Sequence, residues 1–218
     1  MRPRIFKLGL TAMLGLFLVG CVNVPPYDYT SYRQHRPRSI LVLPPLNEST
    51  AVQGTYGYLS TVTLPLAEMG YYVYPVAVVD QFLKENGMPT AGEMHQVPLQ
   101  KVNEIIGADA VLYLTVQEYG SKYQVINSAT IVRARAKMVD VKTGTTLWEG
   151  AGMAQENSGG SGSLIGDLVA AAITQAINAG TDKAHEVSRK ANVNLFMTRG
   201  HGLLFGPRHA EFGKDKEK

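Results

Sequence analysis

The stretch Ser39-Ile40-Leu41-Val42-Leu43, followed by Pro44-Pro45, decides which kind of fold the 218-residue chain can adopt. A short, continuous apolar run that is rich in branched side chains is typical of a strand buried on both faces. The strand must end at the prolines, because proline has no backbone N–H to donate to a neighbouring strand. We therefore predict a buried strand at the start of a folded domain.

Helices and strands are expected to alternate after this first strand. Predicted helices cover about 55–69, 78–85 and 98–106, and predicted strands cover 71–76 and 110–116. Gly70 is expected to stop the first of these helices, since glycine readily adopts the left-handed conformation that ends a helix. Pro65 is expected to kink or divide the same helix, because its ring crowds the preceding turn.

The pattern changes to strict alternation between residues 130 and 138. Apolar residues alternate there with Arg133, Arg135 and Lys137, which predicts a half-buried strand with a basic outer face. A turn at 142–145 and a returning strand at 146–151 would complete a hairpin. Alternating strands and helices followed by a hairpin predict an α/β domain, with a mixed β-sheet and helices packed on it.

The basic outer face has two interpretations. Arg133, Arg135 and Lys137 could contact an acidic lipid, an acidic glycan or a protein partner. A strand face that only exposes its cations to solvent would show the same alternation. Both interpretations stay open at the level of the sequence.

A second candidate surface lies on a helix predicted after a flexible connector at 155–163 that is rich in glycine and serine. Its two apolar rows are Leu164, Leu168 and Ala172, and Ile165, Val169, Ile173 and Ile177. If one row covers the sheet, the other is exposed and would support self-association. If the helix is deeply buried, both rows contact the sheet. A polar helix over 181–191 and a loosely packed tail over 192–218 are expected to follow.

The first 20 residues have the pattern of a secretory signal peptide. Arg2, Arg4 and Lys7 form a basic region, and residues 8–20 form a short apolar region. An apolar region of this length is too short to cross a bilayer as a helix, which needs about 20 residues. We therefore expect residues 1–20 to be removed during export.

The tetrapeptide Leu18-Val19-Gly20-Cys21 resembles the lipobox of bacterial lipoproteins. The resemblance implies that the Cys21 thiol receives a diacylglyceryl group, that the signal is cut before it, and that the new amino terminus is acylated. Acyl chains would anchor the mature chain without a transmembrane helix, since each buried methylene contributes about 0.8 kcal/mol. Residues 21–38 would then form a lipidated, flexible tether. Val22 favours the outer membrane, because an aspartate there would resemble an inner-membrane retention signal.

The formal net charge of +3 disappears when the signal peptide is removed. The signal peptide contains three cations and no acid, so 18 Lys and Arg residues remain against 18 Asp and Glu residues. A neutral mature chain has no global basic field, and nucleic acid is therefore not an expected partner. Once Cys21 is lipidated, no other thiol is left for a disulfide, a metal site or a nucleophile.

The sequence has no recognisable catalytic or metal-binding motif. Its five histidines lack the spacing of metal ligands, and no Gly-x-Ser-x-Gly nucleophile motif occurs. The glycine-rich stretch before residue 164 lacks the Gly-Lys pair of a phosphate-binding loop. We therefore predict that the protein is not an enzyme and has no cofactor or metal.

Three stretches, at 40–49, 106–112 and 139–148, together resemble the TolB amino-terminal-like domains. Such domains also occur in the curli-secretion lipoprotein CsgG and in the penicillin-binding-protein activator LpoB. With its segment 69–73, the whole chain is most similar to a family of vaccine-candidate-type bacterial lipoproteins that carry a domain of unknown function. The resemblance implies an α/β domain over about 39–191 and a role as an envelope binding module. It carries no catalytic residues over to this chain.

The sequence therefore predicts an outer-membrane-anchored, periplasm-facing lipoprotein that acts as a structural or interaction module. Its expected partners are the membrane, through the lipid, and proteins of an envelope assembly or export system; a second copy of the chain is a further candidate. The alternative function is an oligomeric ring or channel component in the manner of CsgG. A channel of that type needs paired segments that alternate apolar and polar residues, and the sequence shows no such pair.

Overall fold

The computed structural model describes residues 25, 27–123, 128–157 and 183–214. Its strands are β1 (Ser39–Val42), β2 (Leu46–Asn47), β3 (Tyr72–Val73), β4 (Ala110–Tyr123), β5 (Ser128–Asp140) and β6 (Thr146–Asn157). Its helices are α1 (Thr30–His35), α2 (Gly54–Glu68), α3 (Val76–Glu85), α4 (Ala91–Met94), α5 (Leu99–Lys101), which continues as a π-helix over Val102–Ile106, and α6 (Lys183–Met197).

The described strands form a six-stranded mixed sheet. Its order is β3-β1-β4-β5-β6, with β2 beside the far part of β4. β1 is parallel to β3 and β4, whereas β4, β5 and β6 form an antiparallel ribbon. The predicted α/β fold, with a mixed sheet and helices packed on it, is confirmed.

The first apolar run is buried on both faces, as predicted. Ile40 and Val42 face the larger of two apolar cores, and Leu41 and Leu43 face the smaller one. All four side chains are 0% exposed. The backbone N–H of Leu43 still bonds to β4, and the prolines end the pairing directly afterwards.

Helices form one layer on each side of the sheet. The larger core lies under α2 and α6 and includes Tyr58, Leu66, Trp148, Val187, Leu195 and Phe196. The smaller core lies under α3, α4 and the π-helix and includes Val79, Leu83, Met94 and Val102. The sheet is therefore covered on both faces around β1.

The antiparallel strands are longer than predicted. β4 continues to Tyr123 and β6 continues to Asn157, so the first residues of the predicted connector at 155–163 belong to a strand. Gln117 and Glu118 interrupt the apolar pattern that marked the strand in the sequence. They are compatible with β4 because an antiparallel strand needs an apolar layer on only one face.

The first long helix is a single element that contains Pro65. It ends just before Gly70, as predicted, and Gly70 has a φ of +89°. A Cβ atom at this position would lie 2.3 Å from the backbone nitrogen of His209. Gly70 therefore both ends the helix and lets the carboxyl-terminal part of the chain pack closely against it.

The predicted flexible tether over 21–38 is wrong for its second half. Tyr29 and Tyr32 are only 5% and 2% exposed, and they belong to the larger core. The Tyr29 hydroxyl donates to the Gly202 carbonyl, and the Tyr32 hydroxyl bonds the Tyr71 hydroxyl. A tyrosine can be buried when its ring packs and its hydroxyl finds a partner, which explains why polar neighbours did not prevent folding here.

The predicted loosely packed tail over 192–218 is also wrong for most of its length. α6 continues to Met197, and its last turn buries Leu195 and Phe196. Leu203, beyond the helix, is 5% exposed. These side chains complete the larger core, so the segment is part of the folded domain.

The two ends of the described chain lie side by side below the sheet, where β1 and β4 begin. We call residues 27–38 and 198–214 together the basal layer. The Tyr27 N–H donates to the Gly200 carbonyl across 2.8 Å, which links the two segments directly.

The basal layer is also bonded to the sheet and to α2. The Trp148 indole N–H donates to the His201 carbonyl across 2.9 Å. The Gly206 N–H donates to the Met69 carbonyl across 2.8 Å. The Trp148 indole and the Met69 carbonyl therefore find their hydrogen-bond partners in the carboxyl-terminal segment.

Two predicted features lie outside the described residues. They are the lipidation site Cys21 and the apolar helix Leu164–Ile177 with its candidate residues. Within the described residues, no helix is both long enough and apolar enough to cross a bilayer.

Removal of the first basal segment should destabilise the domain. A chain that begins at Ser39 loses two buried tyrosines, each of which contributes about 1.5–3 kcal/mol by burial. We expect its free energy of unfolding to fall by about 3 kcal/mol or more relative to a chain that begins at Val22. A chain that begins at Tyr27 is the matched control and should unfold like the longer one. Equal denaturant midpoints for all three chains would show that residues 27–38 do not stabilise the fold.

Candidate functional site

The candidate site is the face of the β4–β5–β6 ribbon that points away from α6. We call it the open face; it comprises Tyr113, Thr115, Glu118, Arg133, Arg135, Lys137, Glu149, Ala151 and Met153. The three predicted cations are exposed on it, as are Ala151 and Met153. The structure thus brings Arg133, Arg135 and Lys137 together on one surface, as the alternation predicted.

The strand register places each cation in a cross-strand row. Arg133 lies between Glu118 and Met153, and Arg135 lies between Thr115 and Ala151. Lys137 occupies the third row, between Tyr113 and Glu149. Side chains in such rows are close enough to interact across strands.

The opposite face of the same ribbon explains why the cations point outward. Ala134 and Ala136 alternate with the arginines and are buried under α6. Gly152 belongs to the same buried face, and a Cβ atom there would lie 2.5 Å from the Leu195 Cβ. Small residues let the helix approach closely, so this face is fixed as the inner one and the cations remain outside.

Two of the three cations are paired with acids of the open face. The Arg133 Nε lies 3.3 Å from the Glu118 carboxylate, and the Lys137 Nζ lies 3.5 Å from that of Glu149. Pairs this exposed contribute at most about 1 kcal/mol to stability. These pairs matter more for the charge of the open face, because they neutralise two of its three cations.

Arg135 is the cation that keeps its charge available. It makes no ion pair with any acid in the part of the chain that the structure describes. Its row neighbours, Thr115 and Ala151, carry no charge. The open face therefore presents one central guanidinium between two neutralised pairs.

The edge of the open face toward α4 is uncharged. The His95 ring packs edge-on against Tyr113, with 5.3 Å between ring centroids, and its Nε2 donates to the Pro44 carbonyl across 2.9 Å. Burial lowers the pKa of His95 below its ordinary value, and burial raises the pKa of Tyr113. Both side chains are therefore neutral at pH 7.

A second concave feature is an apolar groove of about 190 Å³ beside the smaller core. Its lining includes Phe82, Met88, Val97, Pro98, Ile105 and Ile106. Lys101 is the cation in the lining, and its Nζ lies 3.2 Å from the Glu104 carboxylate. The other polar side chain of the lining is Asn86, whose amide N–H donates to the Phe82 carbonyl across 2.8 Å. The groove therefore offers mainly apolar contact.

No pattern in the sequence indicated this groove. The helix predicted over 98–106 is not regular throughout, and its Ile105 side chain is 62% exposed. The helix changes to a π-helix at Val102, which shifts the side chains that follow out of the regular helical phase.

The described residues contain no group of three or more His, Cys, Asp or Glu side chains arranged to hold a metal ion. The histidines in this part of the chain make other contacts. His185 bonds Ser60, and His209 stacks on Phe205 with 3.7 Å between ring centroids.

The far end of β6 is joined to the start of α6. Glu156 forms ion pairs with Lys183 and Lys190, and the hydrogen bond from Lys183, followed by that from Lys190, lowers the pKa of Glu156. The described residues on either side of 158–182 therefore lie close together.

Comparison with known proteins identifies the family. Residues 27–208 match the family model described as "Putative lipoprotein GNA1162-like". The chain belongs to this family. The match begins at the residue where the basal layer begins and includes most of the carboxyl-terminal segment, which agrees with the packing of both chain ends.

Individual relatives agree with this membership. The chain is 46% identical over 213 residues to the "Putative lipoprotein NMB1124/NMB1162" of Neisseria meningitidis serogroup B, with 97% of this chain and 98% of the relative covered. The crystal structure of lipoprotein GNA1162 from Neisseria meningitidis matches with a TM-score of 0.54 and 50% identity, over 65% of this chain and 99% of that one. The predicted membership of a bacterial lipoprotein family is confirmed.

The LpoB carboxyl-terminal domain from Salmonella enterica is a more distant match. Its TM-score is 0.41 and its identity 17%, over 67% of this chain and 93% of that domain. A similarity of this degree does not transfer a function.

Proposed function

We propose that the protein is an outer-membrane-anchored, periplasm-facing lipoprotein that acts as a non-enzymatic interaction module, accessory to an envelope assembly or export system. Arg135 at the centre of the open face is the observation that carries this proposal. An acidic surface of a protein partner is the occupant that fits this face best.

The composition of the open face supports a protein partner. Arg135 lies beside exposed Ala151, and exposed Met153 lies one row further along. Arginine and methionine are enriched in protein–protein interfaces. The surface is an antiparallel sheet face, which is comparatively flat and suits a protein surface rather than a small molecule.

Charge supports an acidic partner. A guanidinium binds carboxylates with two parallel hydrogen bonds, so it gives geometric specificity as well as attraction. Glu118 and Glu149 already neutralise the flanking cations. A partner that places a carboxylate opposite Arg135 therefore meets a complementary charge.

Lipid anchoring supports a role at the membrane. The family to which the chain belongs is one of lipoproteins, and Cys21 follows a lipobox-like sequence. The anchor would concentrate the domain at one surface, so even a partner with low affinity for the open face would be bound there. Self-association through Leu164–Ile177 lies outside the described residues and stays a prediction.

Replacement of the anchor residue tests the first part of the proposal. A Cys21→Ser chain should accumulate as an unprocessed precursor without a lipid label, because the thiol is the acceptor of the diacylglyceryl group. Metabolic labelling with a fatty acid, followed by gel analysis, measures this. Equal labelling of Cys21→Ser and the unchanged chain would refute lipidation at this residue.

Site-specific photo-crosslinking tests the open face. A photoreactive residue in place of Ala151 should give a discrete adduct in intact envelopes, and the same residue in place of Val52, which is 92% exposed, should not. Adding Arg135→Glu should reduce the adduct at least about tenfold, since it places a charge of the wrong sign against the partner.

Arg189→Glu is the matched control. Arg189 is an exposed arginine on α6, on the other side of the sheet. It should leave the adduct at position 151 unchanged, and both variants should unfold like the unchanged chain. An adduct that survives Arg135→Glu, or one that is lost equally with Arg189→Glu, would contradict the proposed role of the open face.

A further inference from the structure

The basal end of the domain combines the basic cluster at 33–38 with cations from distant parts of the sequence. We call this region the basal surface; it comprises the basal layer, Asp109 and the β5–β6 turn at 140–145. Its cations are Arg33, Arg36, Arg38, Lys142, Arg199, Arg208 and Lys214, and all of them are exposed. Its acids are Asp28, Asp109, Asp140 and Glu211.

Contacts between distant segments place these cations on one surface. The Arg38 carbonyl accepts a hydrogen bond from the Tyr72 N–H across 3.0 Å, and the Arg208 guanidinium lies 5.5 Å from the centre of the Tyr72 ring. Arg38 and Arg208 are therefore neighbours although 170 residues separate them in the sequence. His35 and Thr143, 3.4 Å apart, likewise bring the turn that carries Lys142 to α1.

The acids of the basal surface are engaged within the fold. The carboxylates of Asp28, Asp109 and Asp140 each accept a hydrogen bond from a nearby backbone N–H. Arg38 also pairs with Asp109, with 3.8 Å between its Nε and the carboxylate, but the Arg38 side chain is 80% exposed and that of Asp109 only 28%. The outward charge of this surface is therefore positive.

The charge of the mature chain is unevenly distributed as a result. Of its 18 basic and 18 acidic residues, the basal surface holds seven and four, which leaves 11 and 14 for the rest. A neutral protein with one positive end is expected to orient in the field of a negatively charged surface.

The position of the anchor points this surface at the membrane. Only residues 22–26 separate Cys21 from the first basal residue, Tyr27. Six residue steps span at most about 20 Å even when fully extended. The basal layer must therefore stay close to the bilayer once Cys21 is acylated, and the cations are within reach of lipid headgroups.

We propose that the basal surface docks on the phosphates of anionic membrane lipids and holds the sheet upright on the bilayer. The orientation rests on the lipid anchor proposed at Cys21, whereas the affinity for anionic lipid does not. β4, with 14 residues, would then extend about 45 Å away from the membrane. The open face would lie along its length, accessible from the side to a partner in the periplasm.

Vesicle binding by the unlipidated mature chain, residues 22–218, tests the proposal. The chain should bind vesicles that contain phosphatidylglycerol and phosphatidylcholine, and it should not bind phosphatidylcholine alone. Each cation at an anionic surface changes the partition coefficient about fivefold. The double variant Arg38→Gln/Arg208→Gln should therefore bind about 25-fold more weakly, and added salt should weaken the binding of the unchanged chain.

The matched control is Arg189→Gln/Lys190→Gln, which removes the same charge from the exposed side of α6. It should bind phosphatidylglycerol vesicles within about threefold of the unchanged chain, since charges beyond the Debye length of about 10 Å act weakly. Both double variants should keep the unfolding temperature of the unchanged chain, because the replaced side chains are exposed.

Three results would overturn the proposal. The first is equal binding of the unchanged chain to both kinds of vesicle. The second is an equal loss of vesicle binding in the two double variants. The third is an Arg38→Gln/Arg208→Gln chain that still binds the vesicles but no longer binds polyglutamate. The last result would assign the basal surface to an acidic protein instead. Because lipid-free protein is used, these results do not depend on whether Cys21 is acylated or whether the open face has a partner.

Discussion

The packing of the two chain ends against each other beneath the sheet is the constraint on which the rest of the structure depends. Tyr29 and Tyr32 bring polar hydroxyls into the larger core, and each hydroxyl needs a hydrogen-bond partner there. The carboxyl-terminal segment supplies one of them, the Gly202 carbonyl. The fold therefore begins at residue 27 rather than after a long tether, and the anchor proposed at Cys21 would be joined to this end of the domain by a short link.

The parts of the fold that could be predicted are those marked by a pattern within one short segment of the sequence. The run that ends at Pro44 contains enough apolar residues to identify a strand buried on both faces, and the alternation around Arg135 identifies a half-covered one. The packing of Tyr29 could not be predicted, because its partner Gly202 is 173 residues away. Tyrosines in a polar segment show no periodicity, and only the folded arrangement brings them to their partners.

The same distinction holds for the candidate site. The alternation predicted that Arg133, Arg135 and Lys137 share one face. The pairing of two of them with Glu118 and Glu149 depends on the strand register and on a bulge between Val116 and Glu118. The sequence therefore predicted the location of the charges and not how many are neutralised. The apolar groove was missed because a π-helix changes the phase of the side chains after Val102.

Amide hydrogen exchange of the mature, unlipidated chain tests most directly whether the two chain ends fold together. The amides of Tyr27 and Gly206 donate to carbonyls of other segments, and we predict that both exchange at least about 100-fold more slowly than unstructured amides. A chain that begins at Ser39 should lose the protection of the amides in 198–206 that face the missing segment. Exchange of residues 27–36 at unprotected rates, while β4 remains protected, would contradict the account.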